Sequence, residues 1–233
     1  MMQRTIIGCE QYVRRFNAYR ICEHWSLLAL FVTLASTGLA QKFYYVSISQ
    51  TFIMTLGGIT TVRAIHHFSG VLLALLLVEH VVAACWGMAF RHWQPSMLVT
   101  FKDFRDTQQN VSYYLGLTDS APKFGRFNYK EKFVYWLILL GSFQLIASGF
   151  ILWFPVTAAK VFAGQFIPGS KVVHSNDAMI IFLLIAIWHI YDSIFSPDVI
   201  PLDKSIFSGY ISVKRMRHEH PLELDAADRD GDA

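Results

Sequence analysis

Four apolar runs, each about as long as a bilayer is thick, constrain this chain more than any other feature. They are ICEHWSLLALFVTLASTGLA over 21–40, a stretch over 62–90 containing IHHFSGVLLALLLVEHVVAACWGMAF, FVYWLILLGSFQLIASGFILWF over 133–154, and a run over 173–195 closed by SPDVIP. At 1.5 Å of rise per residue, about 20 residues of helix cross roughly 30 Å of hydrocarbon. Lipid offers no water to an open backbone edge, and no segment alternates as barrel strands do, so each run is expected to be a helix. The composition agrees: 54% of the 233 residues are hydrophobic and 16% are charged, against about 25% charged in an average soluble domain. The expected fold is an all-α integral membrane protein, a bundle of four transmembrane helices over 1–200 followed by a C-terminal tail over 201–233.

Four spans return the chain to the side on which it entered. With both termini inside, the inner segments carry 16 Lys and Arg residues and the outer segments carry four, Lys42, Arg63, Lys160 and Lys171. The positive-inside rule then places both termini in the cytoplasm, across the inner membrane of a cell. The basic N-terminal segment runs into the first apolar run without an A-x-A-like cleavage site, which reads as a retained helix and not a removable signal. The inner loop over 91–132 is long and polar; DTQQN and TDSAPKFGR within it read as irregular connections. The tail KRMRHEHPLELDAADRDGDA turns from basic to acidic, and its last ten residues are expected to lack structure. Three cysteines without a CxxC or CxxCH motif support neither a disulfide scaffold, nor a thiolate zinc site, nor a c-type haem attachment.

The runs carry histidines: His24 in the first, His66, His67 and His80 in the second, His174 and His189 at the two ends of the fourth. His66 and His80 are 14 residues apart, hence within about 40° of one face and about 21 Å apart along a helix. His174 and His189 are 15 apart, within about 60° and roughly 22 Å. The second and fourth helices run in the same direction, so their first histidines share an outer depth and their second an inner depth, which His24 joins. Two layers of facing imidazoles are what two bis-histidine haems require. Gly38, Gly70, Gly141 and Gly149 provide surfaces that a macrocycle can approach. A zinc or copper transporter is the rival, but its site needs carboxylates or thiols at the same depth. Only Glu23 and Glu79 qualify, each adjacent in sequence to a histidine and so pointing about 100° away from it. A cofactor-free membrane anchor, with histidines that merely bond across helices, is the other alternative.

RFNAYRICEHW, RAIHHFSGV, FNYKEKFVYW, and VHSNDA with WHIY together resemble the membrane cytochrome b subunits of respiratory formate dehydrogenases and nickel-iron hydrogenases, a four-helix dihaem family, over nearly the whole chain. FGRFNYKEKFVYW, SGFILWFP and SGYISVKRMRHEHPLE look closest to the branch that partners multihaem cytochromes c. The resemblance implies an outer haem b on His66 and His174 and an inner one on His24 and His189. Helical spacing alone would instead set His80 opposite His189, so His80 is the alternative inner ligand. Near the inner haem the family binds menaquinone through an Asn and a polar residue that correspond here to Asn128 and Glu131. Glu131 replaces the family's Gln and could move the quinone's protons, as Gln could not. Arg20 and Arg63, a turn from His24 and His66, are candidates for haem propionates. The implied function is electron relay between an extracytoplasmic redox subunit and the quinone pool. That subunit would be a multihaem cytochrome c or a formate dehydrogenase or hydrogenase electron-transfer chain.

Overall fold

A computed structural model describes residues 4–7, 10–196, 199–200 and 202–231. Cys9 and the prolines at 197 and 201 of the SPDVIP stretch lie outside them. In chain order the elements are strands β1 (Arg4–Ile7) and β2 (Glu10–Arg14) and helices α1 (Ala18–Lys42), α2 (Ser47–Thr55), α3 (Ile59–Phe90) and α4 (Phe101–Tyr114). They continue with α5 (Tyr129–Trp153), the single turn α6 (Pro155–Ala158) and α7 (Phe166–Leu184), which runs on as two π-helical turns, Ile185–His189 and Tyr191–Phe195. The chain closes with α8 (Ser205–Ser208), β3 (Tyr210–Ser212), α9 (Val213–Glu219) and α10 (Pro221–Gly231). The four runs correspond to α1, α3, α5 and α7, each long and apolar enough to cross a membrane.

Each span begins earlier in the chain than its apolar run, because polar residues supply the first turn. The Asn17 side chain accepts from the Arg20 amide at 2.9 Å at the start of α1. Asn128 does the same for the Glu131 amide at 2.9 Å at the start of α5. Gly58 precedes α3 with φ 99°, a backbone conformation that side chains disfavour. Pro168 falls in the first turn of α7, where its missing N–H costs no helical bond.

The chain divides into two compact units, one formed by 22–91 and 137–189, the other by 1–21, 92–136 and 190–233. These cut across the division at residue 200. In the first unit, Ala40, Ile53 and Val62 cluster with Phe52 and Leu56 where α1, α2 and α3 meet. Lys42 ties the end of α1 to α7, donating to the Ser175 carbonyl at 3.1 Å and to Asn176 Oδ1 at 2.9 Å.

The second unit holds structure that the apolar pattern does not announce. A three-stranded antiparallel sheet in the order β1-β2-β3 sets Tyr12 opposite Ser212 and Val13 opposite Ile211. The turn into β3 passes Gly209 at φ 81°, where a Cβ would come within 2.6 Å of the Phe16 carbonyl oxygen. DTQQN, read as irregular, lies within α4. Its start is fixed by the Thr100 amide donating to Asp103 Oδ2 at 2.6 Å, and its inward face is polar, so no apolar period marks it. Of the last ten residues, where structure was not expected, those over 224–231 are likewise helical, in α10, and the final two lie outside the described residues. Leu224 is buried with Met216 and Ile211, and the Leu222 amide donates to the Phe124 carbonyl at 3.1 Å. A few well-placed apolar residues there outweigh an acidic composition.

Candidate functional site

The histidines of the membrane helices fall into two facing pairs. The rings of His66 on α3 and His174 on α7 have centroids 6.2 Å apart. Those of His24 on α1 and His189 at the end of the first π turn are also 6.2 Å apart. The planes are inclined by 75° and 52°, so neither pair is stacked face to face. Two imidazoles bound to one metal from opposite sides, with bonds of about 2.0–2.1 Å and ring centres roughly 1.1 Å behind each nitrogen, sit about 6.3 Å apart. Both pairs therefore fit the axial positions of one metal each. Among the described residues no three His, Cys, Asp or Glu side chains converge as a metal site. A metal held by such a pair must bring its remaining ligands with it, as a metalloporphyrin does.

The supports of the outer pair define which nitrogen is available. Thr37 on α1 donates its hydroxyl to the Thr33 carbonyl at 2.7 Å and lies 2.8 Å from His66 Nδ1. A hydroxyl has a single proton, so it accepts from Nδ1–H and leaves the Nε2 lone pair free. On α5, the Ser148 hydroxyl donates to the Gln144 carbonyl at 2.7 Å and lies 3.0 Å from His174 Nδ1, which is also 3.0 Å from the Leu145 carbonyl. A carbonyl can only accept, so this Nδ1 is a donor too. Each hydroxyl is followed by a glycine against the same ring: a Cβ on Gly38 would lie 3.3 Å from His66 Cε1, and one on Gly149 3.2 Å from His174 Cε1. These two glycines thus admit the imidazoles. Gly141 admits Ile181, and Gly70 alone of the four has open space where its Cβ would be. A backbone carbonyl accepting from the second ring nitrogen, as Leu145 does from His174, is a usual orienting contact of a metal-bound imidazole.

At the inner pair, His24 packs edge-on against Trp25 at 6.0 Å, and its Nδ1 is buried without a hydrogen-bond partner among the described residues. A buried orphan nitrogen on a ring facing a second imidazole fits a bound group. His80 Nδ1 meets the Glu23 carboxylate of α1 in a hydrogen bond, with both side chains largely buried. Glu23, set aside because it points away from His24, therefore serves the neighbouring helix. A carboxylate one residue before His24 and a histidine on α3 were the available signal. His67 stacks on Trp153 with centroids 4.4 Å apart, a packed position.

The other candidates are placed as follows. Arg63 is exposed near the start of α3. Arg20 lies over the Tyr19 and Trp93 rings at 5.4 and 5.8 Å. Asn128 and Glu131 are brought together by capping one another: the Asn128 amide donates to Glu131 Oε2 at 2.8 Å, reciprocating the bond from the Glu131 amide. Arg15, 5% exposed, donates to Glu131 Oε1 at 3.0 Å. His220 Nε2 stands 4.0 Å from the same oxygen.

Four apolar spanning helices and two inward-facing histidine pairs define an all-α integral membrane protein of the cytochrome b class. Among known proteins, the chain is 24% identical over 224 residues to the cytochrome b556 subunit of formate dehydrogenase from Haemophilus influenzae, covering 94% of this chain and 85% of that one. It is 24% identical to the cytochrome b556(fdo) subunit of Escherichia coli K12 over 89% of both chains. To the nitrate-inducible cytochrome b556(Fdn) subunit of the same organism it is 25% identical over 87% of this chain and 85% of that one. No protein-family model matches the chain. Similarity of this extent supports membership of the cytochrome b subunit family of formate dehydrogenases, to which the sequence motifs point.

Proposed function

We propose that this protein is a dihaem cytochrome b that relays electrons through the cytoplasmic membrane between an extracytoplasmic redox partner and a quinone. The observation that carries this reading is the repetition of one geometry, two imidazole pairs at the same 6.2 Å. His66 with His174 would hold the outer haem b and His24 with His189 the inner one. Haem b, when bound, supplies reversible one-electron chemistry at each pair. The chain's own residues do the rest. Thr37, Ser148 and the Leu145 carbonyl hold the outer rings in the tautomer that presents Nε2, and the apolar helices exclude water. Thr37 lies 13 residues from His24 along α1, so the two layers stand about 20 Å apart by helical rise. Arg63 and Arg20 would neutralise propionates at the outer and inner layers.

Asn128 and Glu131 are the proposed quinone contacts. Glu131 is 36% exposed, and its carboxylate is the only proton-carrying group of the two. Both termini are assigned to the cytoplasm on the 16-to-four distribution of basic residues. The pairing of β2 with β3 supports this, since it joins N- and C-terminal segments in one sheet. The partner is a formate dehydrogenase-type electron-transfer subunit, the kind of complex to which the relatives belong, or a multihaem cytochrome c.

A pyridine haemochrome assay on the purified protein tests the proposal, with about two haems b per chain expected. Absence of haem would leave a cofactor-free anchor, and zinc or copper in place of iron would favour a metal transporter. His24→Ala should lose one haem while His80→Ala keeps both; the opposite result would move the inner ligand to His80.

A further inference from the structure

The amphipathicity of α4 is inverted. On a soluble helix the buried stripe is apolar and the exposed face polar. Here Asp103, Asp106 and Asn110, which share one face, are the buried residues of the helix. Lys132 on the first turn of α5 donates to both carboxylate oxygens of Asp103, at 2.9 and 2.8 Å. Lys102 bonds Asp106 and the Lys123 carbonyl. Asn110 Nδ2 donates to the Tyr129 hydroxyl at 2.9 Å. The opposite face presents Phe101, Phe104, Val111 and Leu115, exposed by 89, 68, 50 and 69%. At 100° per residue these four lie within about 80° of one another. Gln108, also exposed, falls within the same arc, and the exposed Arg105 borders it.

We propose that α4 is an interfacial helix whose Phe101, Phe104, Val111 and Leu115 face enters the acyl boundary of the bilayer while its polar face grips the protein. The occupant follows from continuity and charge. Lys132 and Tyr129 belong to the first turn of a membrane span, so the ion pair and hydrogen bonds hold α4 at the level where α5 enters lipid. The bordering Arg105 suits phosphate headgroups, and aromatic residues suit the interface.

The test is spin-label accessibility in nanodiscs of phosphatidylethanolamine and phosphatidylglycerol. Single cysteines replace Phe101, Phe104, Val111 or Leu115 in a background with Cys9, Cys22 and Cys85 changed to Ala. Labels at Gln109 and Asp119 serve as controls. The four face labels should relax severalfold more with oxygen than with a water-soluble nickel chelate, and the control labels the reverse. Face labels open to nickel would show a solvated helix, and face labels closed to both reagents would show a protein partner or second copy; either result overturns the proposal. In the native-cysteine protein, Phe101→Asp with Phe104→Asp should speed tryptic cleavage at Lys102 and Arg105 severalfold in the same nanodiscs. An unchanged rate would also overturn it, because these side chains carry none of the helix's polar anchorage.

Discussion

The two histidines of the first pair are held alike. His174 Nδ1 has both the Ser148 hydroxyl and the Leu145 carbonyl at 3.0 Å, and His66 has the Thr37 hydroxyl 2.8 Å from Nδ1 with the Leu34 carbonyl as a second, backbone partner. Thr37→Val and Ser148→Ala each remove the hydroxyl and leave the carbonyl, so the ring keeps one acceptor. Losing the other makes the imidazole a poorer electron donor to a bound iron. The midpoint potential of the haem proposed on this pair should therefore rise modestly in either variant and further in the double variant. An unchanged potential in a redox titration of the double variant would contradict this. At this scale the histidines were legible, because ionisable residues are rare in membrane spans. Their hydroxyl supports were not: Thr and Ser in a membrane helix commonly bond their own preceding turn, as Thr33 does to Ala29. Nothing in STG or ASG distinguishes the hydroxyls that also receive a histidine.

At the scale of elements, the tail helices are the surprise, and they carry a titratable pin. His220, between α9 and α10, is 2% exposed, and its Nδ1 donates to the Gly125 carbonyl at 2.7 Å. Burial, then the Arg15 cation, pulls it down from 6.5 to about 4. The neutral ring is the folded form, so its contribution is complete above pH 6.5 and is lost as the pH falls through about 4. The loss amounts to about 3 kcal/mol when complete. Protection factors over 211–224, taken relative to the intrinsic exchange rate at each pH, should therefore fall steeply between neutral pH and pH 4.5, and His220→Phe should flatten that dependence. Removing residues after Ser208 should expose β1 and β2 in the same measurement, since without β3 only a two-stranded hairpin remains. The spans were legible because length and hydropathy mark them directly. The sheet, α4 and α10 were not, since their stability comes from contacts distant in sequence, such as Val13 with Ile211.

For the whole molecule, topology is the property most open to direct test. A fluorescent protein fused at either terminus should fold and fluoresce, and alkaline phosphatase at either terminus should be inactive. A split result, one end on each side, would remove the even number of crossings. The four-helix architecture and the paired depths of the histidines follow from regular helical geometry, which is why a linear pattern conveys them. The choice between His24 and His80 as the partner of His189 is different. It depends on how α1, α3 and α7 are rotated against one another, and the π turns at the end of α7 depart from the 3.6-residue period on which any spacing argument rests.

Those same turns give α7 a tolerance that the other spans do not have. A π turn holds one residue more than the α turn it replaces, so the stretch from Ile185 to Phe195 contains spare chain. A single deletion beyond His189 can be absorbed by tightening Tyr191–Phe195 into an ordinary α turn. The same deletion between His24 and Thr37, inside the regular α1, would swing one layer about 100° against the other. The first helix is the rigid ruler of the molecule and the last is its adjustable end.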